Sequence, residues 1–284
     1  MTGAERGFLL LTCHLGIKTR KTLSVARFRE LAQRVRAMER PMEDRDLAPE
    51  DLLGLGYDEE MAQRIVSLLS EEELLDDYLR TAAKYGCQPV TWISRYYPER
   101  IQSSLKEDAP GVLWLKGNPE LLSKPAISLV GSRDLQPLNE AFAESVGRWA
   151  ARKGYVLISG NARGADTQAQ RACLEAGGAV ISVVADDLRR KNPTDRIAYL
   201  SELDFDASFS SIRAHSRNRL IHCMGQKVFV ARSGLSGGTW SGTEKNLIKG
   251  WSPVYIFEDG TDPVRKLQEL GATPIRREEI GLVL

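Results

Sequence analysis

This chain has few of the residues that hold metals or cross-links, and almost no net charge. It has three histidines and four cysteines in 284 residues. Cys13, Cys87, Cys173 and Cys223 stand far apart, with no CxxC or Cys/His spacing. That argues against a zinc site and against the disulfide framework of a small secreted domain. Lys and Arg total 39 against 38 acids, so the formal charge of +1 does not by itself point to nucleic acid. No uncharged apolar stretch approaches the ~20 residues needed to cross a bilayer. The start, Met1-Thr2-Gly3-Ala4-Glu5-Arg6 before a very short apolar run, does not read as a signal peptide. The expectation is a reduced, cytoplasmic protein with no membrane association, no metal and no cofactor.

What is present is unevenly spread. Hydrophobic residues make up 42% of the chain, enough for one large or two ordinary domains. From Lys124 to Glu258 there are 18 basic and 13 acidic residues, a local net of +5. Lys18 to Arg40 is also basic, and Glu43 to Asp77 acidic. Such asymmetry suits a phosphate-tracking face, and a mixed solvated surface produces it as readily.

Residues 1–85 read as a helical domain. Apolar residues recur at three and four spacing through Leu23, Phe28, Leu31, Val35 and Met38, then through Ile65, Leu68, Leu69, Leu74, Leu75 and Tyr78. Between them, Leu52-Leu53-Gly54-Leu55-Gly56 suggests a helix-hairpin-helix (or SAM-like) unit whose turn amides meet a DNA phosphate; a plain two-helix turn with glycine caps reads the same way. A connecting region, 86–123, holds Tyr97-Pro98 and Val112-Leu113-Trp114-Leu115, which reads as an edge strand or small extension. From 124 onward strands and helices alternate. Ala126–Val130, Tyr155–Ile158, Val180–Val184, Lys227–Ala231 and Val254–Phe257 read as strands; Leu138–Arg152, Asp166–Ala176 and a stretch near Thr243–Lys249 read as helices. The fold class expected is α/β, an extended Rossmann-like, doubly wound, mostly parallel sheet over residues 86–260, after a small all-helical domain. Residues 261–284 are left as a short tail of at most one helix and a strand.

Four blocks in this α/β region carry the chemistry. Gly131-Ser132-Arg133 follows the first core strand. Ser159-Gly160-Asn161-Ala162-Arg163-Gly164 ends the second, with Asp166 placed to cap the next helix. Arg217-Asn218-Arg219 lies in the densest basic cluster, with Arg213, His215 and His222, and no acid occurs between Asp206 and Glu244. Ser236-Gly237-Gly238-Thr239 follows the Lys227 strand. Glycine lets backbone amides approach an anion, and arginine grips phosphate oxygens with a planar fork. In such sheets ligands bind beyond the carboxyl ends of the strands. For each block an ordinary turn or a solvated helix face is the bland alternative. There is no GxGxxG and no acid ending the second strand to hold a ribose, so a plain NAD site is not expected. Trp240 and Trp251 are candidates for stacking on bases, or for core packing.

The succession Tyr97-Pro98, Pro110-Gly111-Val112-Leu113-Trp114-Leu115-Lys116-Gly117, Val130-Gly131-Ser132-Arg133, Ser159–Asp166, Arg217-Asn218-Arg219-Leu220-Ile221 and Ser236-Gly237 resembles the DNA-processing protein A (DprA, or Smf) family across about residues 90–257. The resemblance implies an extended Rossmann fold that binds single-stranded DNA as a homodimer and hands the strand to a RecA-type recombinase, in recombination or natural transformation. It implies a DNA pocket lined by Arg133, Arg163, Arg217 and Arg219, with amides around Gly131, Gly160 and Gly237, and no chemistry of its own. Four departures stand out. Asn161 and Ala165 replace the family's usual Leu or Met and Ile. Ala214-His215 stand where Phe-Pro is usual. The last block runs Ser236-Gly237-Gly238-Thr239-Trp240-Ser241-Gly242 instead of Ser-Gly-Ser-Leu-Ile-Thr-Ala. Only 27 residues follow Phe257, too few for the winged-helix domain that many members carry, so a variant without it is expected. A second reading is a nucleotide-binding sensor, for example in phage defence, or a nucleotide phosphoribohydrolase. Gly242-Thr243-Glu244 faintly resembles the catalytic loop of that enzyme group, with Glu244 as its acid or base.

Overall fold

The computed structural model describes residues 1–38 and 47–284, which divide into two compact units. The first comprises residues 1–85 with 91–94 and 110–112; the second comprises 86–90, 95–109 and 113–284. Arg40, ending the basic run noted above, and Glu43, opening the acidic one, lie outside the described residues.

The first unit holds helices α1 (Gly3–Thr12), α2 (Val25–Arg36), α3 (Pro49–Gly54), α4 (Glu59–Leu69) and α5 (Glu72–Lys84). Local chemistry starts them. Thr2 and Glu5 form a reciprocal capping box at α1, and Ser24 and Asp58 accept from backbone amides in the first turns of α2 and α4. Leu11, Leu23, Leu31, Leu52 and Ile65 form one apolar cluster; Leu9, Leu10 and Leu75 form another. Arg20 is buried, yet its guanidinium donates to the carbonyls of Leu10 and Cys13 and pairs with Glu71 at 2.6 Å, which compensates the desolvated charge. The Gly-Leu-Gly turn between α3 and α4 closes on itself. The N–H groups of Leu55, Gly56 and Tyr57 donate to the carbonyls of Asp51, Leu53 and Leu52, and Arg34 covers the Leu55 carbonyl at 2.7 Å. A hairpin that grips phosphate needs such amides unspent.

The second unit is built on a nine-stranded sheet of order β1-β2-β6-β5-β4-β3-β7-β8-β9. Its strands are β1 (Cys87–Thr91), β2 (Val112–Lys116), β3 (Ala126–Val130), β4 (Val156–Ser159), β5 (Ala179–Val183), β6 (Ile197–Ser201), β7 (Val228–Val230), β8 (Val254–Phe257) and β9 (Thr273–Ile275). From β6 to β9 all neighbours pair in parallel, and β2 runs antiparallel to β6 with Trp114 opposite Ser201. β3, β4 and β7 are buried at every residue, the mark of strands covered on both faces, and this is why they are continuous apolar runs. The helices are α6 (Glu99–Leu105), α7 (Pro137–Arg152), α8 (Ala165–Glu175), α9 (Ser211–Met224), α10 (Gly238–Lys249), α11 (Asp262–Glu269) and α12 (Ile280–Val283). Phe142 and Val146 of α7 pack with Ile127, Leu129, Leu157 and Phe229 of the sheet. The Phe142 ring lies 4.8 Å from that of Phe257. On α9, the Ile221 carbonyl accepts from the buried Ser128 hydroxyl of β3, fixing that helix against the sheet.

The chain leaves β3 for β4, β5 and β6 on one side and later returns with β7, β8 and β9 on the other. β3 is therefore the switch point, where the loops diverge and leave a crevice at its carboxyl end.

Five stretches differ from the sequence reading. β6 and β1 were not legible. β6 is a five-residue run whose outer partner, β2, lies far back in the chain, so no local pattern announces it. The Val112 run is no edge: β2 sits second in the sheet, with Trp114 buried against Phe205. α10 starts at Gly238, about five residues before the expected helix, because Gly237 takes φ +90° as its N-cap and the weak helix formers after it are carried by packing. Residues 261–284 hold more than one helix and a strand. β9 extends the sheet beside β8, and α12 follows, burying Ile280 in the core near α7.

Candidate functional site

At the carboxyl ends of β3, β4 and β7 lies a cleft of about 460 Å³. The four blocks arrive there by different routes. Gly131, Ser132 and Arg133 leave β3; Gly160 leaves β4; Arg217 and Asn218 come from α9; Ser236, Gly237, Gly238 and Thr239 form the turn after β7 and the start of α10. Asn161 and Arg163 instead line a second cavity of about 200 Å³ beside it. Ser159 is buried at the end of β4, where its hydroxyl accepts from Gln170. Gly164 takes φ +80° at the start of α8, and a Cβ there would strike the carbonyls of Ser132 and Arg133. Arg219 lies outside both cavities: it pairs with Glu202 and donates to the Asp108 carbonyl at 2.7 Å. The absence of an acid between Asp206 and Glu244 thus concealed a tertiary partner just upstream, on the turn after β6. Glu244 lies in the second turn of α10 and lines neither cavity.

The arginines have unlike surroundings. Arg217 is buried; its Nη1 donates to the Val183 carbonyl, and its guanidinium lies so close over Gly160 that a Cβ would collide with it. Burial pushes its pKa below the usual arginine value, opposed chiefly by Asp166, and its Nε lacks a partner among the described residues. Arg133 and Arg163 are exposed, and no hydrogen bond or ion pair holds either guanidinium among the described residues. They are unspent charge at the rim.

The second block differs from the expected amide nest. Asp166 does not cap α8, whose N-cap is Gly164 with no side-chain cap. Its carboxylate turns back to accept from the N–H groups of Gly160, at 3.1 Å, and Ala162, at 3.0 Å. The loop's anion position is therefore filled by the chain's own carboxylate. Burial pushes the Asp166 pKa up to about 6, against the lowering pull of those two amides and of Arg217 and Arg133.

The fourth block is a helix N-terminus. α10 opens at Gly238, and the Asn218 side-chain amide donates to the Gly238 carbonyl at 3.1 Å, tying α9 to that turn. The exposed hydroxyl of Ser236 and the partly exposed one of Thr239 stand beside it. Unbonded N–H groups of a first helical turn and the positive end of its dipole favour an anion. At the cleft floor His222 is fully buried, and burial pushes its pKa down to about 4, so the ring is neutral near pH 7. Neither ring nitrogen has a partner among the described residues. Sequence reasoning missed Phe209, which lines both cavities; its one signal was an aromatic isolated in the small polar run Asp206-Ala207-Ser208-Phe209-Ser210. Among the described residues no group of three His, Cys, Asp or Glu could hold a metal ion, and no helix is long and apolar enough to cross a membrane.

Fold and site together define a doubly wound, Rossmann-like α/β protein with a switch-point cleft lined by arginine, glycine and hydroxyl groups. The model of the family described as DNA recombination-mediator protein A matches residues 88–276, and the chain belongs to that family. The DNA processing protein DprA of Streptococcus pneumoniae is 30% identical over 179 residues, covering 58% of this chain and 63% of that protein. Its counterpart in Bacillus subtilis is 28% identical over 214 residues, covering 69% of this chain and 71% of the other. The chain thus spans under two thirds of the length of the pneumococcal protein. Among solved structures, DprA from Streptococcus pneumoniae superposes with a TM-score of 0.71 at 22% identity, covering 100% of this chain and 98% of the other. DNA processing protein A from Helicobacter pylori, whose structure concerns its single-stranded DNA binding mode, gives 0.58 at 21% identity, over 69% of this chain and 95% of that one. At these identities the two structures establish the fold.

Proposed function

We propose that this recombination-mediator family member binds single-stranded DNA in the switch-point cleft, with no covalent chemistry of its own. In this reading it is a cytoplasmic homodimer that protects the strand and passes it to a RecA-type recombinase. One observation carries the DNA reading: unspent Arg133, buried Arg217 and the N-terminus of α10 converge on one opening at the carboxyl end of β3. Arginine forks and helix amides hold phosphate oxygens without reading base edges, so binding would be largely indifferent to sequence and sensitive to salt. The Helicobacter pylori relative's single-stranded DNA binding agrees with this. Glu244, the residue a phosphoribohydrolase would need, lines neither cavity, which favours binding over hydrolysis.

The test is a salt titration of oligonucleotide binding. Arg133→Ala is expected to weaken binding about tenfold or more and to lower the log–log salt slope by about one. Wild-type affinity and slope in that variant would remove DNA from the cleft.

A further inference from the structure

The cleft and the smaller cavity share one wall. Arg133, Gly160, Ala162, Phe209, Ala214 and Arg217 line both. Beyond that wall the smaller cavity is furnished by Asn161, Arg163, Asp186 and Lys191. Lys191 pairs with Asp186 at 2.7 Å, whereas Arg163 has no ion pair among the described residues. Two cavities therefore lie side by side, each with an arginine open to solvent.

The residue on the divide is unusual for its type. Phe8, Phe142, Phe205 and Phe229 are fully buried, but Phe209 is 59% exposed, just before α9. An aromatic ring left in water forgoes the burial that ordinarily stabilises it. Here it lines both cavities, beside Arg133 and Arg217 on the shared wall and Arg163 in the smaller one. Each nucleobase has a π-face, so an aromatic in that place holds any base while the arginines hold the backbone.

Resting on the single-strand reading above, we propose that the small cavity is a second nucleotide subsite and that Phe209 is the stacking platform between the two. The strand then crosses from the α10 N-terminus, over the Arg133 and Arg217 pair, into the cavity of Arg163. Arg163 neutralises the next phosphate. Asp186 holds Lys191 at the far wall and gives the path an edge.

The experiment measures binding and fluorescence of oligothymidylates of one to six nucleotides carrying a single 2-aminopurine, whose emission is quenched on stacking. For the wild type, affinity should climb steeply once the ligand is long enough to enter both cavities, with quenching at one position of the label. Phe209→Ala should lose about tenfold in affinity for the longer oligonucleotides and lose the quenching; Phe209→Trp should restore both. Because the ring is exposed, neither substitution should disturb folding. Arg163→Ala should lower the salt slope only for ligands long enough to reach it. If the wild type and Arg133→Ala bind longer oligonucleotides equally, the single-strand reading fails. If Arg133→Ala weakens binding while Phe209→Ala keeps wild-type affinity and quenching, the second subsite alone is overturned. A changed oligomeric state in Phe209→Ala with DNA binding intact also overturns it, and assigns the ring to a protein contact.

Discussion

Two cavities of nearly equal size open at opposite ends of β3. The switch-point cleft is about 460 Å³, and the other, at the strand's amino end, is about 470 Å³ and lined by Arg95–Arg100, Leu121–Ala126 and Gln226 among others. Both contain arginines, and the difference is how those arginines are used. Arg100 is spent: it donates to the carbonyls of Cys223 and Trp251 and to the Ser252 hydroxyl. It satisfies the end of α9 and the approach to β8, and burial lowers its pKa. In the cleft, Arg133 has no such duty. A cavity becomes a binding site through polar groups left unsatisfied at its surface, and volume alone does not distinguish the two ends.

The largest expected effect tests the buried anion that sits on the cleft side. The Asp166 carboxyl has an ordinary value of 3.8 and a folded value of about 6. The folded protein therefore holds the proton more tightly than the unfolded chain, so Asp166 favours folding at low pH and that contribution is lost as pH rises from about 4 to about 6. Denaturant titrations should show the stability of Asp166→Asn gaining on the wild type across this window, by up to about 3 kcal/mol. A pH-independent difference would mean that burial does not raise the Asp166 carboxyl in the folded protein. Next in size is Arg100→Ala. Stripping three acceptors of their donor should cost about 2 kcal/mol of stability while leaving oligonucleotide affinity at the wild-type value. A large loss of affinity in that variant would erase the contrast between the two cavities. The smallest effect is expected from Arg219→Ala, because Glu202 keeps its hydrogen bond to the Ser216 side chain and the nearby Arg217 charge. Its stability should fall by about 1–2 kcal/mol, and affinity should change less than twofold. A tenfold loss of DNA binding there would return Arg219 to the site that the resemblance implied.

Much of the fold was legible because it is local. The buried strands β3, β4, β5, β7 and β8 are short apolar runs bounded by turn residues, and α7 and α8 show their packed faces at helical spacing. β1 lacked that clarity because Gln88 and Pro89 interrupt its apolar run, and β6 because its outer partner, β2, lies far back in the chain. The four blocks were visible as glycine, hydroxyl and guanidinium groups at strand ends. Which of them remain open to a ligand was not visible. Arg217 and Arg219 are two residues apart, yet on a helix that separation turns them to different faces: one lies over Gly160 at the cleft and the other meets Glu202. Likewise, nothing in Ser159–Asp166 tells whether Asp166 will cap its helix or fill the loop's own amide nest.

By itself, then, the sequence determined the class of fold, the order of the blocks and the family, since these depend on periodicity, turn chemistry and succession along the chain. Only the tertiary structure decided which charges are spent. Pairing Arg219 with Glu202, seating Asp166 on the amides of Gly160 and Ala162, and leaving Phe209 on the divide between two cavities each depend on where other elements pack. A charge's freedom to bind is settled by neighbours that its own segment does not contain.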